Sequence, residues 1–483
     1  MALSWCMRMP LEHKKHEDFS EWYLETVQKA KLMDYAPTQG CIVFRPDSYF
    51  VWEQIQHYLD PLFKADGVKN AYFPIFIPES FLKKEAAHFE GFIPEVAWVT
   101  QGGNQELGER LALRPTSEAI MYHFFAKWIS SHRDLPLKLN QWTNVIRWDT
   151  KTLKPFLRTR EFLWQEGHTA HASKEEAAEQ VLRALNWYAD ACQELLAIPV
   201  IQGFKSDSEK FPGAFYSTTI EAMMPDGKAL QMGTSHHLGQ NFAKMFDVRF
   251  KTEDEKEEFA WQTSWGVSTR MIGAAIMVHG DDRGLVWPPK IAPVQIAIVP
   301  IFYNEEEKKM TLLAGERIKN SLSRLNLRIE VDDSSRTPGF KFNESELRGI
   351  PLRIEIGLRD LAKVGVTLAR RDSGEKEFVP EEKIAEYVEF LIADIQQKMF
   401  LKAKLFLESH TTAVKSMNEF KTVLEERKGF VVAEWCGDAR CEEAIKQETT
   451  ASIRLVPFDA SGKGECVYCG KQSKTNAYFA KAY

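Results

Sequence analysis

Two adjacent prolines, Pro288 and Pro289, separate stretches of chain whose apolar residues follow different rhythms. Upstream, Ala214–Met224, Ala229–Met232 and Phe259–Trp265 alternate apolar and polar residues, the period of strands with one buried face. Leu139–Trp148 and Phe156–Gln165 are β-rich and joined by a polar loop, a hairpin-like pair. Ala71–Ile77 contains Pro74, which confines it to a sheet margin or an interface. Helical spacing appears over 17–33, 49–64, 174–196 and 270–279. This block predicts an antiparallel sheet with helices, an α+β core. Downstream the rhythm becomes strand (294–303), helix (305–325), strand (327–332), helix (342–349), two strands (353–356 and 365–370) and a helix (380–399). That alternation predicts a separate α/β unit. A third unit follows from about Ala403. At ~100–200 residues per domain, 483 residues are too many for one core. Domains are expected at 1–290, 291–402 and 403–483.

Lys and Arg number 62 against 68 Asp and Glu, a net charge of −6, so a nucleic-acid partner must be held by a local patch. One stretch is suggestive: Arg336–Arg371 holds eight basic and four acidic residues, locally +4. Apolar runs such as Ile272–Val278 fall far short of the ~20 residues of a membrane helix. Met1–Pro10 lacks the apolar core of a signal peptide, so a cytoplasmic protein with no membrane partner is expected. Cys6, Cys41 and Cys192 are scattered, whereas Cys436, Cys441, Cys466 and Cys469 crowd the last 48 residues. Four residues separate the first of these pairs, two the second, and 24 lie between them. Paired thiolates on two turns suit a closed, tetrahedral, structural Zn²⁺ site, with Gly437 and Gly470 letting each turn tighten.

Three motifs appear in order. Gly67–Phe76 follows a long helix. Val145-Ile146-Arg147-Trp148-Asp149 is followed by a loop and Arg158-Thr159-Arg160-Glu161-Phe162. Gly266-Val267-Ser268-Thr269-Arg270 opens an apolar helix. Together they resemble the signature motifs of class II aminoacyl-tRNA synthetases. Arg114-Pro115-Thr116-Ser117-Glu118, Phe162–His168, Lys210-Phe211-Pro212-Gly213 and Gly233–Gln240 are similar to the prolyl-tRNA synthetase family over essentially the whole chain. About 100 residues separate Gln165 from Gly266, which leaves no room for a large editing insertion. The resemblance is therefore to the archaeal/eukaryotic type. Asp149 departs from it, since many relatives carry Glu there.

The resemblance implies a class II catalytic domain, an anticodon-binding domain and a zinc-bearing C-terminal domain. It implies ATP-dependent formation of prolyl-adenylate, then transfer to proline tRNA. Arg147 would meet the α-phosphate and the amino-acid carboxylate, and Arg270 the γ-phosphate. Arg158, Thr159, Phe162, Gln231, Thr234 and Ser268 would complete the ATP site, with Glu221 and Gln231 holding Mg²⁺. The residue types fit, because arginine forks bind phosphate and carboxylate oxygens in pairs where charge accumulates. L-proline would lie among Thr116, Glu118, Arg147, Trp164, Glu166, His168, Phe211 and His236. Its secondary ammonium suits a carboxylate and its ring an apolar wall. If Trp164, Glu166 and His168 lie on one strand, they share a face. Glu346, Arg353 and Arg359 would read anticodon guanines, as arginine can bond O6 and N7 together. Tyr483 matches a terminal tyrosine that packs near the active site in relatives. A homodimer through the Pro74 region is also implied. The rival expectations are a non-catalytic tRNA-binding paralogue and a threonyl enzyme. The first should have lost motif charges, and the second needs a cysteine near the amino-acid site.

Overall fold

The computed structural model describes residues 11–88, 96–148 and 153–483. Asp149, Cys6 and the N-terminal decapeptide lie outside the described residues. Among those described, the largest sheet has seven strands. Their order is Lys69–Asn70, Leu137–Ile146, Glu161–His171, Trp261–Ser268, Ala229–Gly239, Tyr216–Met223 and Ile201–Phe204. Only the first pair is parallel; the rest are antiparallel, as the alternating pattern predicts.

One face of this sheet carries the core. Helix Lys174–Asp190 starts at Ser173, whose hydroxyl accepts from the Glu176 N–H, and presents Val181, Ala184, Leu185 and Tyr188 at helical spacing. It packs with Trp22, Trp52, Phe63 and Trp265 in a single apolar cluster. Each such side chain contributes ~1.5–3 kcal/mol on burial. Gly167 shows how closely the layers meet, since a Cβ there would lie 2.2 Å from the Trp265 ring. Its neighbours Glu166 and His168 then face the other side, where the sheet is open.

Several expected boundaries shift. Of Ala71–Ile77 only the last two residues are in a strand, Phe76–Pro78, while the strand Lys69–Asn70 ends just before the run. The strand expected from Phe156 begins at Glu161, because Phe156 adopts φ +61° in a turn closed by Lys154 and Arg158. The interval before Gly266 holds a second, short helix, Asn241–Phe246, and a small hairpin, Arg249–Lys251 with Glu257–Phe259, joined by a largely exposed loop over 252–256. Neither is domain-sized.

The second unit is a five-stranded sheet ordered Ile329–Val331, Ile296–Pro300, Leu352–Ile356, Gly365–Arg370, Lys376–Pro380. Its first three strands are parallel and the rest antiparallel. The expected limit at 402/403 falls inside a continuous helix, Ile384–Ser409, so the second and third units share that helix. The third is a four-stranded sheet, Thr411–Ala413, Phe430–Trp435, Thr475–Ala480 and Ser452–Leu455. It docks on the edge of the large sheet through the bridges Phe204–Val456 and Ala229–Ala482.

Candidate active site

The open face of the seven-stranded sheet holds a cavity of about 500 Å³. Thr116, Glu118, Arg147, Arg158, Thr159, Phe162, Trp164, Glu166, His168, Phe211, Gln231, Thr234, His236, Ser268 and Arg270 all line it. Strand alternation accounts for much of this: Trp164, Glu166 and His168 share one face of Glu161–His171. Arg270 and Glu118 each begin a helix, where the backbone fixes their direction.

One end of the cavity is acidic. Glu118, Glu166 and His168 bring ligand atoms within 4.8 Å of one another. Glu166 is fully supported: His168 Nε2 lies at 3.1 Å, Gln141 Nε2 at 2.9 Å, and both the hydroxyl and the N–H of Ser117 reach it. Burial opposes charge on both groups, but their mutual contact wins, lowering Glu166 and raising His168. Tyr122 Oη meets His168 Nδ1 at 2.9 Å. Thr116 bonds Glu118. Phe211 stacks on His236, ring centroids 4.9 Å apart, and burial lowers His236 to about 3, so that ring is neutral. Arg114 is not at the site. Buried, it donates to the carbonyls of Phe73 and Asn144 and so pins the loop that carries Thr116. Sequence reasoning missed Tyr122, although it stands one helical turn beyond Glu118, a spacing that could have exposed it.

The opposite end is cationic. Arg147 donates to the Pro115 carbonyl at 3.3 Å and lies 5.4 Å from both the Phe162 and Trp164 rings. Arg270 donates to the carbonyls of Gln231 and Leu157. Burial, reinforced by Arg147, Arg454 and Arg158, pulls its pKa down to about 10. Such crowding of like charges needs an anion to offset it. The Thr159 hydroxyl is committed to the Glu161 carbonyl at 2.6 Å. Lys205 and Arg454 also line the cavity, and nothing in the local sequence marks either.

The expected Glu221–Gln231 pair is split. Gln231 lines the cavity, but Glu221 is fully buried beneath it. Both carboxylate oxygens of Glu221 accept from Arg454 at 3.0–3.1 Å, and Lys205 stands 3.7 Å away. The carboxylate already has its cation, supplied by the third unit. Tyr483 does reach the cavity, its hydroxyl donating to Asp226 at 2.8 Å.

In the second unit Glu346 and Arg353 line a cavity of about 330 Å³ with Phe342, Arg370 and Lys376. Arg353 is buried, bonded to Glu355, Ser345 and Glu346 at 3.0–3.3 Å, and lies 4.3 Å from the Phe342 ring. Arg359 is not with them; it is exposed in the short helix Leu358–Ala362, beyond the end of the strand that carries Arg353. In the third unit all four expected thiols converge, their sulfurs within 4.8 Å, with Cys436 3.6 Å from Cys441 and 3.8 Å from Cys469. A tetrahedron of ~2.3 Å Zn–S bonds has edges of about 3.8 Å, so the donor set fits. Gly437 and Gly470 have φ of +80° and +68°, the left-handed turns the knuckles require.

Residues 98–279 match the tRNA synthetase class II core domain (G, H, P, S and T), residues 295–391 an anticodon binding domain, and residues 417–483 the prolyl-tRNA synthetase C-terminal domain. The proline–tRNA ligase of Natranaerobius thermophilus is 51% identical over 470 residues, 97% of each chain. That of Rubrobacter xylanophilus is 53% identical over 471 residues, covering 97% of this chain and 98% of its own. The crystal structure of prolyl-tRNA synthetase from Cryptosporidium parvum, complexed with halofuginone and AMPPNP, superposes with a TM-score of 0.93 at 44% identity. It covers 98% of this chain and 99% of its own.

Proposed function

Because the chain belongs to the prolyl-tRNA synthetase family of class II synthetases, we propose that it attaches L-proline to proline tRNA at the cost of ATP. The observation that carries the reading is one cavity with an acidic end at Glu118, Glu166 and His168 and a cationic end at Arg147, Arg158 and Arg270. A zwitterionic amino acid and a polyphosphate have to lie along such a gradient in one direction only. Nothing favours the non-catalytic alternative, since the charged groups of both ends are present.

Thr116 and Glu118 receive the secondary ammonium, while Trp164, Phe211 and His236 wall the pyrrolidine ring. Glu166 and His168 hold that wall rigid. Arg147, between the two ends, holds the substrate carboxylate against the α-phosphate. The carboxylate oxygen attacks phosphorus, pyrophosphate leaves, and Arg147 with Arg270 stabilises the charge that builds on the phosphates. No side chain serves as nucleophile, so positioning supplies the rest. Arg158, Phe162, Thr234 and Ser268 hold the nucleotide, with Thr159 shaping the loop. Gln231 would hold Mg²⁺, which would offset phosphate charge; Glu221, matched by Arg454, supports that wall from behind.

Cys436, Cys441, Cys466 and Cys469 would hold Zn²⁺, which would supply fold stability rather than catalysis. Glu346 and Arg353 read the anticodon beside the Phe342 ring, with Arg359 outside that cavity. Two copies pair about Pro74, where Tyr72 and Phe76 stand exposed. No described helix is long and apolar enough to cross a membrane, and the site of action is the cytoplasm. Charging of proline tRNA with labelled proline tests the reading. ATP- and proline-dependent acid-precipitable label is expected, and its absence with folded protein overturns it.

A further inference from the structure

The helix Ile384–Ser409 lies along the catalytic domain without closing on it. Apolar residues there gather in two small clusters. One contains Ala197, Val286, Ile395 and Met399; the other contains Met223, Ala229, Phe430 and Ala480. Between them is a cavity of about 840 Å³, walled by Ile198, Met223, Val278, Met399 and Phe406 among others. It shares no lining residue with the active-site cavity. It opens to solvent past the exposed Lys398, Lys402 and Leu405, and its volume lies within the ~300–1,000 Å³ of ligand sites.

The charge around this cavity is unbalanced. Lys15 reaches its wall, with Nζ donating to the carbonyls of Gly280 at 2.5 Å and Val278 at 3.3 Å. Burial and the nearby Lys402 hold Lys15 down at about 7, against Asp281 and Asp282, which pull it up. Most other charges on the wall are already matched. Asp281 pairs with Arg371, Asp372 with Arg370, and Lys398 with Asp394, all between 2.5 and 3.0 Å. Lys402 is exposed and has no acidic partner within ion-pair distance among the described residues. The apolar side of the cavity thus meets Lys402, which no acid on the wall answers, beside Lys15, whose charge burial weakens and a bound anion would restore.

We propose that this cavity binds an amphipathic carboxylate, with its apolar body between Met399, Phe406 and Val278 and its anion at Lys402 and Lys15. An ammonium amphiphile would fill the same volume but meet repulsion. The bound molecule would tie the catalytic domain to the helix that carries the other two units. The inference rests on this cavity alone and stands whether or not the chain activates proline.

Isothermal titration of the full-length protein with decanoate, decanol and decylammonium tests it. Decanoate should saturate at one per chain below about 1 mM, with decylammonium about tenfold weaker or more. Lys402→Glu, at an exposed position, should weaken decanoate about five- to tenfold and leave decanol unchanged. Its pyrophosphate exchange should match the unaltered protein, showing an intact fold. Lys15→Met should weaken decanoate as well, and if it does not fold, Lys402→Glu decides alone. No saturable decanoate binding, equal binding of decanoate and decylammonium, or unchanged affinity in Lys402→Glu would each overturn the proposal.

Discussion

Arg454 and Tyr483 bring the C-terminal unit into the active site, and Arg454→Ala tests what the Arg454 contact does. Its guanidinium makes three hydrogen bonds of 3.0–3.1 Å to Glu221, whose carboxylate is fully buried. Truncation leaves that carboxylate with the Thr219 hydroxyl, donating at 3.0 Å, and with Lys205, 3.7 Å away, as its one remaining cation. Stranding one partner of a buried ion pair costs about 3–5 kcal/mol. Because Lys205 remains, the lower figure applies, and about 3 kcal/mol is roughly a 100-fold rise in local opening. Hydrogen exchange along Ser452–Leu455 should accelerate by that factor. Adding Glu221→Gln removes the stranded charge and should restore most of the protection. Arg454 also borders the cationic end of the cavity, away from the acidic end. In pyrophosphate-exchange kinetics the KM for ATP should rise about tenfold, as expected for one charge-assisted bond, with the KM for proline nearly unchanged. Equal effects on both substrates would mean that Arg454 does not act at the ATP end. Full recovery of the ATP KM in the double variant would reduce Arg454 to a strut.

Arg147→Ala should lose several kcal/mol of transition-state stabilisation in proline activation with an unchanged melting profile; unchanged exchange rates would remove Arg147 from the site. Elemental analysis should find one zinc per chain, and Cys466→Ser should open residues 411–483 to protease while the catalytic domain stays folded; zinc-free protein purified without chelator would count against the site. Arg353→Ala should weaken charging of proline tRNA by ~1–3 kcal/mol and spare activation without tRNA. Since Arg353 also neutralises Glu355, Lys376 must keep that carboxylate paired, and equal damage to both steps would indicate misfolding. Stability should also depend on pH through Glu166 and His168. The Glu166 contribution is present above its ordinary 4.5 and is lost as pH falls through its lowered pKa. The His168 contribution is present below its ordinary 6.5 and is lost as pH rises through its raised pKa. The pair is therefore at full strength between those values, and Glu166→Gln should flatten the alkaline fall in Tm.

What the sequence disclosed and what it hid divide along locality. Trp164, Glu166 and His168 were legible because a strand's period of two puts them on one face. Arg270 opens a helix whose apolar spacing marks both its ends. The four cysteines were legible because each knuckle is a local turn with its own glycine. Glu221 misled because its partner lies 233 residues away in another unit, and no pattern around either residue announces the pair. Arg359 misled because a tight run of motif residues does not say that the chain leaves the strand at Gly357 and turns into a helix. The limit at 402/403 lies inside a helix because no break marks it: Phe400, Leu401, Ala403, Leu405, Phe406 and Leu407 carry the apolar pattern across, and the helix runs on to Ser409. Lys205 and the wall around Lys15 needed the docking of whole units before they could be seen.

A single cavity is expected to select proline and join it to AMP. Amino-acid-dependent exchange of labelled pyrophosphate into ATP, measured across all twenty amino acids, tests it most directly. Exchange with L-proline should stand far above that with every other amino acid, with weak exchange by smaller residues such as alanine and cysteine, which an apolar pocket disfavours by only about 1–3 kcal/mol per methylene. Stronger exchange with any other amino acid, or none with proline in folded, zinc-replete protein, would contradict it.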